Sequence, residues 1–197
     1  MLKNTDKLML HICCAPDATL PWAELSQSMR VTGYFYGSNI HPAGEYEKRR
    51  GAVEKLMGHV EGQCIYPAHS PRSWFEVCAL VNEDAFSEAE GGKRCALCFR
   101  LQLEHTARAA VDHSCSHICT TLTISPHKDA ALINSIGSEI AAIYGLILVE
   151  RVWRKNNGFL NSVRAAKSLG LYRQNYCGCV CSTRRPASAS NEAQIES

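Results

Sequence analysis

An α/β protein built on a mainly parallel sheet is predicted by two features of the sequence. Short apolar runs bounded by turn signals recur at Leu8–Ile12, Val31–Tyr36, Ile118–Ile124 and Leu146–Val149, the lengths of buried strands. Longer segments with helical periodicity separate them, and this alternation calls for helical crossovers between parallel strands.

The elements follow in order. After Leu8–Ile12 the turn Cys13-Cys14-Ala15-Pro16-Asp17 leads to a helix expected from about Thr19 to Met29, with Asp17 or Ala18 near its cap and Pro21 in its first turn. Val31–Tyr36 is closed by Gly37-Ser38-Asn39 and the Ile40-His41-Pro42 loop. Glu45–His59 is a charged amphipathic helix, Cys64–Tyr66 a short strand, and Pro71–Val81 helical. An acidic loop runs to Gly91-Gly92. A long helix from about Cys95 to Val111 then carries Leu103, Ala107, Ala110 and Val111 at helical spacing. Beyond the strand Ile118–Ile124, Lys128–Tyr144 is helical, Leu146–Val149 extended, and Phe159–Leu169 a last helix with Gly170 at its C-terminal end. Sites in such sheets lie at the carboxyl ends of strands, where the Cys13-Cys14 turn and the Thr121–Lys128 segment fall.

With 197 residues and 46% hydrophobic composition, the chain can bury one core, read as a single domain over residues 1–182. Residues 183–197, ending in the small, polar and aperiodic PASASNEAQIES, are expected to be a disordered tail. The 21 basic and 19 acidic residues form no block of one sign that would advertise a partner. Lys3 and Lys7 precede a short apolar run that cysteines interrupt, unlike a signal peptide. No stretch approaches the roughly 18 apolar residues of a membrane span. A cytoplasmic protein with no membrane partner is expected. Eleven cysteines in such a chain point to metal or redox chemistry more than to a disulfide framework.

Three cysteine groups carry that chemistry. Cys13 and Cys14 are adjacent at a strand-to-helix turn, which can aim both at one space; metal ligation competes there with two buried structural thiols. Cys95 and Cys98 share one face at the start of a helix, whose N-terminus favours thiolate. Cys177-Gly178-Cys179 can close into a small strained disulfide suited to a redox relay, or be an incidental cysteine-rich end, with Cys181 beyond it. The thiols of Cys13, Cys14, Cys95 and Cys98 match the number a [4Fe–4S] cluster needs; zinc also accepts four, but adjacent ligands on one tetrahedral ion are cramped. His113, Cys115, His117 and Cys119 alternate, yet in a strand their ends lie about 20 Å apart at ~3.3 Å per residue and cannot meet at one metal. Cys64, Cys78, Cys115 and Cys119 are read as structural.

Asp17 is either a helix cap or a hard ligand beside the thiols. Ser125, His127 and Lys128 follow a strand and suit an anion or phosphate, or else Ser125 and Pro126 are ordinary capping residues. Arg151, Arg154, Lys155, Arg164, Lys167 and Arg173 alternate with Trp153, Phe159, Tyr172 and Tyr176. That mixture suits single-stranded or flipped RNA, and a solvated basic face is the plainer reading.

Five motifs in order, HICCAP from His11, NIHP from Asn39, RCALCF from Arg94, TLTISPHK from Thr121 and YRQNYCGC from Tyr172, resemble the cobalamin-independent epoxyqueuosine reductases of the QueH type. The likeness runs from about Leu8 to Ser182. It implies a Rossmann-like fold of the adenine nucleotide hydrolase kind. It also implies reduction of epoxyqueuosine to queuosine at the tRNA wobble position, the last step of queuosine biosynthesis. Cluster ligands at Cys13, Cys14, Cys95 and Cys98 are implied, with a redox disulfide between Cys177 and Cys179, and an adjacent iron or other metal that uses Asp17 with some of these thiolates. The implied partners are a tRNA anticodon loop carrying epoxyqueuosine and an electron donor. Asp17 stands where cysteine is frequent in the family, Gly37-Ser38 replaces an Asn-Pro pair, and the segment His113–His117 is atypical. His11 and His41 are the candidate proton donors.

Two rivals differ in class. An ATP-using tRNA thiolase shares such a fold but needs a glycine- and serine-rich phosphate loop after the first strand, where this chain has CCAPD. A non-catalytic, metal-stapled RNA-binding module has no use for adjacent cysteines or for a Cys-Gly-Cys unit.

Overall fold

β1 (Lys7–His11), β2 (Arg30–Tyr34), β3 (Gln63–Ile65), β4 (His117–Thr120) and β5 (Ile147–Leu148) form one sheet in the spatial order β3-β2-β1-β4-β5, with every pairing parallel. The computed structural model describes residues 6–81, 88 and 90–183. The tail beyond Thr183 and most of the acidic loop lie outside the described residues.

A parallel sheet needs a crossover between each pair of strands, and the helices supply it on both faces. On one face Leu8, Leu10 and Ile12 pack with Trp22 and Leu25 of α1 (Ala15–Leu25), Val53 and Leu56 of α2 (Ala43–Val60), and Ala166 of α6 (Gly158–Ser168). On the other, Met9 and Ile118 pack with Leu103 and Ala107 of α4 (Lys93–Asp112) and Ile133 and Ile136 of α5 (Ala130–Ile143). The alternation along β1 thus feeds two cores. A third, smaller cluster joins α3 (Pro71–Ala79) to α4 and the C-terminal segment through Trp74, Cys78, Cys98 and Cys179. The last described element is α7 (Val180–Thr183). No helix among the described residues is long and apolar enough to cross a membrane.

Three boundaries differ from the sequence expectation, each for a local reason. α1 starts at Ala15 with Cys14 at its N-cap, because Pro16 tolerates the first helical turn without an N–H to bond. Asp17 therefore sits in the first turn, and Pro21 lies inside the helix, where it offers no N–H to the Asp17 carbonyl. The extended run from Ile118 stops at Thr120, whose hydroxyl accepts the Leu122 N–H at 3.1 Å and turns the chain into a short 3-10 helix at Leu122–Ile124. α5 is capped by Asp129, whose carboxylate accepts the N–H groups of Ala131 and Leu132 at 2.9 and 3.1 Å, so Ser125 and Pro126 belong to the loop before it.

Candidate functional site

Strand order reverses direction between β1 and β4, and at their carboxyl ends opens a cavity of about 890 Å³. β1 delivers Cys13, α4 delivers Cys95 and Cys98 from its first turns, and the C-terminal segment delivers Cys177 and Cys179; all five line this cavity. Cys14 is buried behind them, yet its sulfur, that of Cys13 and an Asp17 carboxylate oxygen lie within 4.8 Å of one another. The Cys13 thiol donates to Asp17 Oδ2 at 3.3 Å.

The sulfur atoms receive donors of their own. Thr121 Oγ1 donates to Cys13 Sγ at 3.2 Å, and the Gly91 N–H to Cys95 Sγ at 3.2 Å. Cys98 Sγ accepts from both Trp74 Nε1 and Gln102 Nε2, each at 3.1 Å. Such bonds are weak to a neutral thiol and stronger to an anionic or ligated sulfur. The adjacent Cys14 and burial push the Cys13 thiol well above its ordinary value, and burial pushes Cys95 up and Cys98 up to about 12. A bound cation reverses that tendency, since ligating thiols give up their protons. Converging sulfur atoms, one carboxylate and donors aimed at sulfur therefore fit iron: Cys13, Cys14 and Asp17 are close enough for a single ion, and Cys95 and Cys98 face the same space from α4.

Cys177 and Cys179 are free cysteines; the proximity of Cys179, with burial, raises the Cys177 thiol, and that of Cys177 draws Cys179 down against its own burial. The backbone around them is pinned. Arg49, 2% exposed, donates Nη1 to the Cys177 carbonyl at 2.9 Å and Nη2 to that of Tyr176 at 3.1 Å, while Nε meets Glu45 Oε1 at 2.8 Å. The His41 N–H bonds the Gly178 carbonyl at 2.8 Å. Tyr172 Oη donates to Glu45 Oε2 and Tyr176 Oη to the His41 carbonyl, at 2.8 and 2.7 Å.

Ser125, His127, Lys128 and Arg173 also line the cavity. Burial works against the charge on Lys128, but the facing Cys177, Cys13, Asp17 and Cys14 outweigh it and hold the ammonium above its ordinary value. Burial raises the Asp17 carboxyl against the opposing bond from Cys13 and the Lys128 charge. Arg173 also lies over the Phe159 ring, 5.7 Å from its centroid.

Other expected residues are placed elsewhere. Arg154 Nη1 bonds the Ser125 and Lys128 carbonyls at 3.2 and 2.8 Å and so fastens the loop from behind. Lys155 borders a separate hollow beside Leu20 and Asn161. Trp153 is buried, its Nε1 donating to the Thr120 carbonyl at 3.0 Å, so it is a core residue and not a base-stacking platform. Tyr172 is exposed at its ring and tied to Glu45 at its hydroxyl. His11 and His41 do not border the cavity; burial takes His11 down to about 3, which keeps it neutral. Residues that sequence reasoning passed over are Arg49, Trp74, Gln102 and Thr121's hydroxyl, partners of the cysteines or of their backbone, and Glu45, which holds Arg49 and Tyr172.

The profile of one protein family, described as Epoxyqueuosine reductase QueH, matches residues 8–185. The chain belongs to this family of oxidoreductases. It is 37% identical over 178 residues to "Epoxyqueuosine reductase QueH" of Thermotoga maritima, an alignment covering 89% of each chain. It is 34% identical over 179 residues to the Streptococcus pyogenes protein of the same name, covering 88% of this chain and 69% of that one. The Staphylococcus aureus relative is 33% identical over 178 residues, at 88% and 74% coverage. Among solved structures, the U34-tRNA thiolase NcsA from Methanococcus maripaludis with its [4Fe-4S] cluster superposes with a TM-score of 0.52 at 13% identity, covering 88% of this chain and 59% of that one. That likeness is one of fold, and it agrees with the adenine nucleotide hydrolase-like architecture the motifs implied.

Proposed function

We propose that this chain reduces epoxyqueuosine in the anticodon loop of tRNA to queuosine, with an iron–sulfur cluster and the Cys177/Cys179 thiol pair at one cavity. The observation that carries the reading is the convergence of Cys13, Cys95, Cys98, Cys177, Cys179 and Lys128 on that cavity, in a chain of the QueH family. Cys13, Cys14, Cys95 and Cys98 would hold a [4Fe–4S] cluster, and Asp17 with the neighbouring thiols an adjacent iron. Bound there, these groups supply single electrons and a Lewis acid for the epoxide oxygen.

The remaining roles belong to side chains. The overall reaction is balanced by the thiol pair: the two thiols form one S–S bond, and their two electrons and two protons turn the epoxide into an alkene and water. A dithiol reductant then restores the pair. Lys128 places a positive charge beside the site where oxygen departs, which favours the charge that develops there. Ser125, His127 and Arg173 on the rim suit the phosphates of a loop nucleotide. The glycine-free turn after β1 leaves no phosphate cradle of the kind an ATP-using thiolase needs.

The test is the double replacement Cys177→Ser with Cys179→Ser, assayed anaerobically for iron and sulfide content and for conversion of epoxyqueuosine in tRNA. Near-parental iron and sulfide with turnover lost supports the reading. Loss of iron would make these two residues ligands, and full turnover would leave the pair without a role.

A further inference from the structure

We infer that Arg49, held by Glu45, is the positioning residue of the Cys177/Cys179 pair, fixing the geometry in which the two thiols close into a disulfide and reopen. The inference rests on the redox reading of that pair.

Three successive carbonyls, those of Tyr176, Cys177 and Gly178, are tied down on the side of α2 and the loop before it, by Arg49 Nη2, Arg49 Nη1 and the His41 N–H. Successive carbonyls bound to one side fix the peptide planes, and with them the directions in which the two sulfur atoms project. Both sulfur-bearing residues face the cavity. Gly178 adopts φ +115°, and a Cβ there would lie 2.7 Å from Arg49 Nη1, so the glycine answers both the turn and the guanidinium behind it.

The arrangement exceeds what stability alone asks for. A buried arginine–carboxylate pair contributes little net stability compared with well-packed apolar residues, because both charges lose their water. Here both partners are nearly inaccessible, at 2% and 8% side-chain exposure, and the fork is spent on the two carbonyls flanking Cys177. A planar guanidinium can bond Glu45 through Nε and two consecutive carbonyls through its terminal nitrogens at once. An ammonium cannot, so lysine is not an equivalent.

The chemical consequence concerns strain. Forming the bond brings two sulfur atoms one residue apart to about 2 Å, releasing two electrons and two protons to the substrate as described above. A backbone that is already fixed decides how strained the closed ring is, and strain raises the potential of a disulfide. Arg49 touches neither sulfur and acts only through the peptide, so its removal should alter the redox poise of the pair while leaving the iron site intact.

The experiment compares the parent with Arg49→Lys and Gly178→Ala. Each protein is equilibrated anaerobically with mixtures of reduced and oxidised dithiothreitol, then alkylated and analysed by mass for the Cys177–Cys179 state; iron content, thermal melting and turnover are measured alongside. Both variants should keep their iron while folded, and each should melt earlier than the parent, because Arg49→Lys loses bonds of a buried fork and Gly178→Ala places a Cβ against it. Their dithiol–disulfide equilibrium constant should shift at least about tenfold, roughly 30 mV for a two-electron couple, and turnover should fall at least about tenfold. A parental equilibrium constant and parental turnover in Arg49→Lys would overturn the inference and leave the redox reading standing. Loss of iron from both variants at a temperature where they remain folded would make Arg49 a structural staple of the whole site and overturn it as well. A parent with no titratable couple at Cys177 and Cys179 would overturn the redox reading itself, and the inference with it.

Discussion

The indole N–H of Trp74 points at the sulfur of Cys98 from 3.1 Å, in a cluster that also holds Cys78 and Cys179. Trp74 is fully buried, so its N–H has no water to bond and the sulfur is its acceptor. Replacing it with phenylalanine keeps most of the packing and deletes the donor. Trp74→Phe should lose about 1–3 kcal/mol of stability. Anaerobic voltammetry of the reconstituted protein should give a more negative cluster potential, because N–H···S bonds stabilise the reduced cluster. An unchanged potential would show that the indole N–H does not act on a cluster ligand.

Alanine at Cys95 or Cys98 should abolish bound iron and sulfide, whereas Cys115→Ala should retain both. Cys115 lies in the core against α4 and α5, away from the cavity, so its loss should cost about 1 kcal/mol of stability and no colour. Metal analysis and visible absorption of anaerobically prepared protein make the comparison.

Arg154 and Arg173 separate two roles that adjacent basic residues often share. Arg154→Ala strips the donor from two loop carbonyls and should destabilise the protein by roughly 1–3 kcal/mol in a urea titration. Arg173→Glu should instead weaken tRNA binding and lower the salt slope of log affinity by about one or more, with little effect on unfolding. Parental binding at every salt concentration would remove Arg173 from the RNA surface.

Lys128→Gln keeps the length of a polar side chain and removes the charge facing Asp17, Cys13 and Cys177. Turnover should fall at least about tenfold if that charge stabilises the departing oxygen, a loss of about 1.4 kcal/mol or more. Iron content should stay parental. The observed rate constant of single-turnover reactions on tRNA containing epoxyqueuosine reads the effect directly.

The thiols were legible in the sequence because their spacing is chemical: neighbours, one helical turn, and one glycine apart. The alternation of runs and periodic segments likewise carried the sheet and its crossovers. What stayed hidden depends on long-range contact. Glu45 and Arg49 read as one more charged pair a helical turn apart, and only carbonyls 127 and 128 positions later give the arginine its work. Trp153 and Arg154 misled in the opposite sense, since an aromatic–basic pair looks like an RNA surface until Thr120, Ser125 and Lys128 turn out to be its partners. The start of α1 is hidden in the sequence because Pro16 suits a turn as well as a helix's first turn, where the structure places it.

The strand order β3-β2-β1-β4-β5 has a consequence for biogenesis. Because β1 is central, it cannot be fully paired until β4 has been made, and the cavity gains its last wall only when Cys177 and Cys179 arrive. Synthesis exposes Cys13 and Cys14 first, and more than a hundred residues follow before Thr121 can bond the backbone and sulfur of Cys13. N-terminal regions emerge first and must wait for such distant partners. The nascent chain thus carries exposed thiols long before it carries a pocket, and any iron the site takes up would have to enter after the polypeptide has closed.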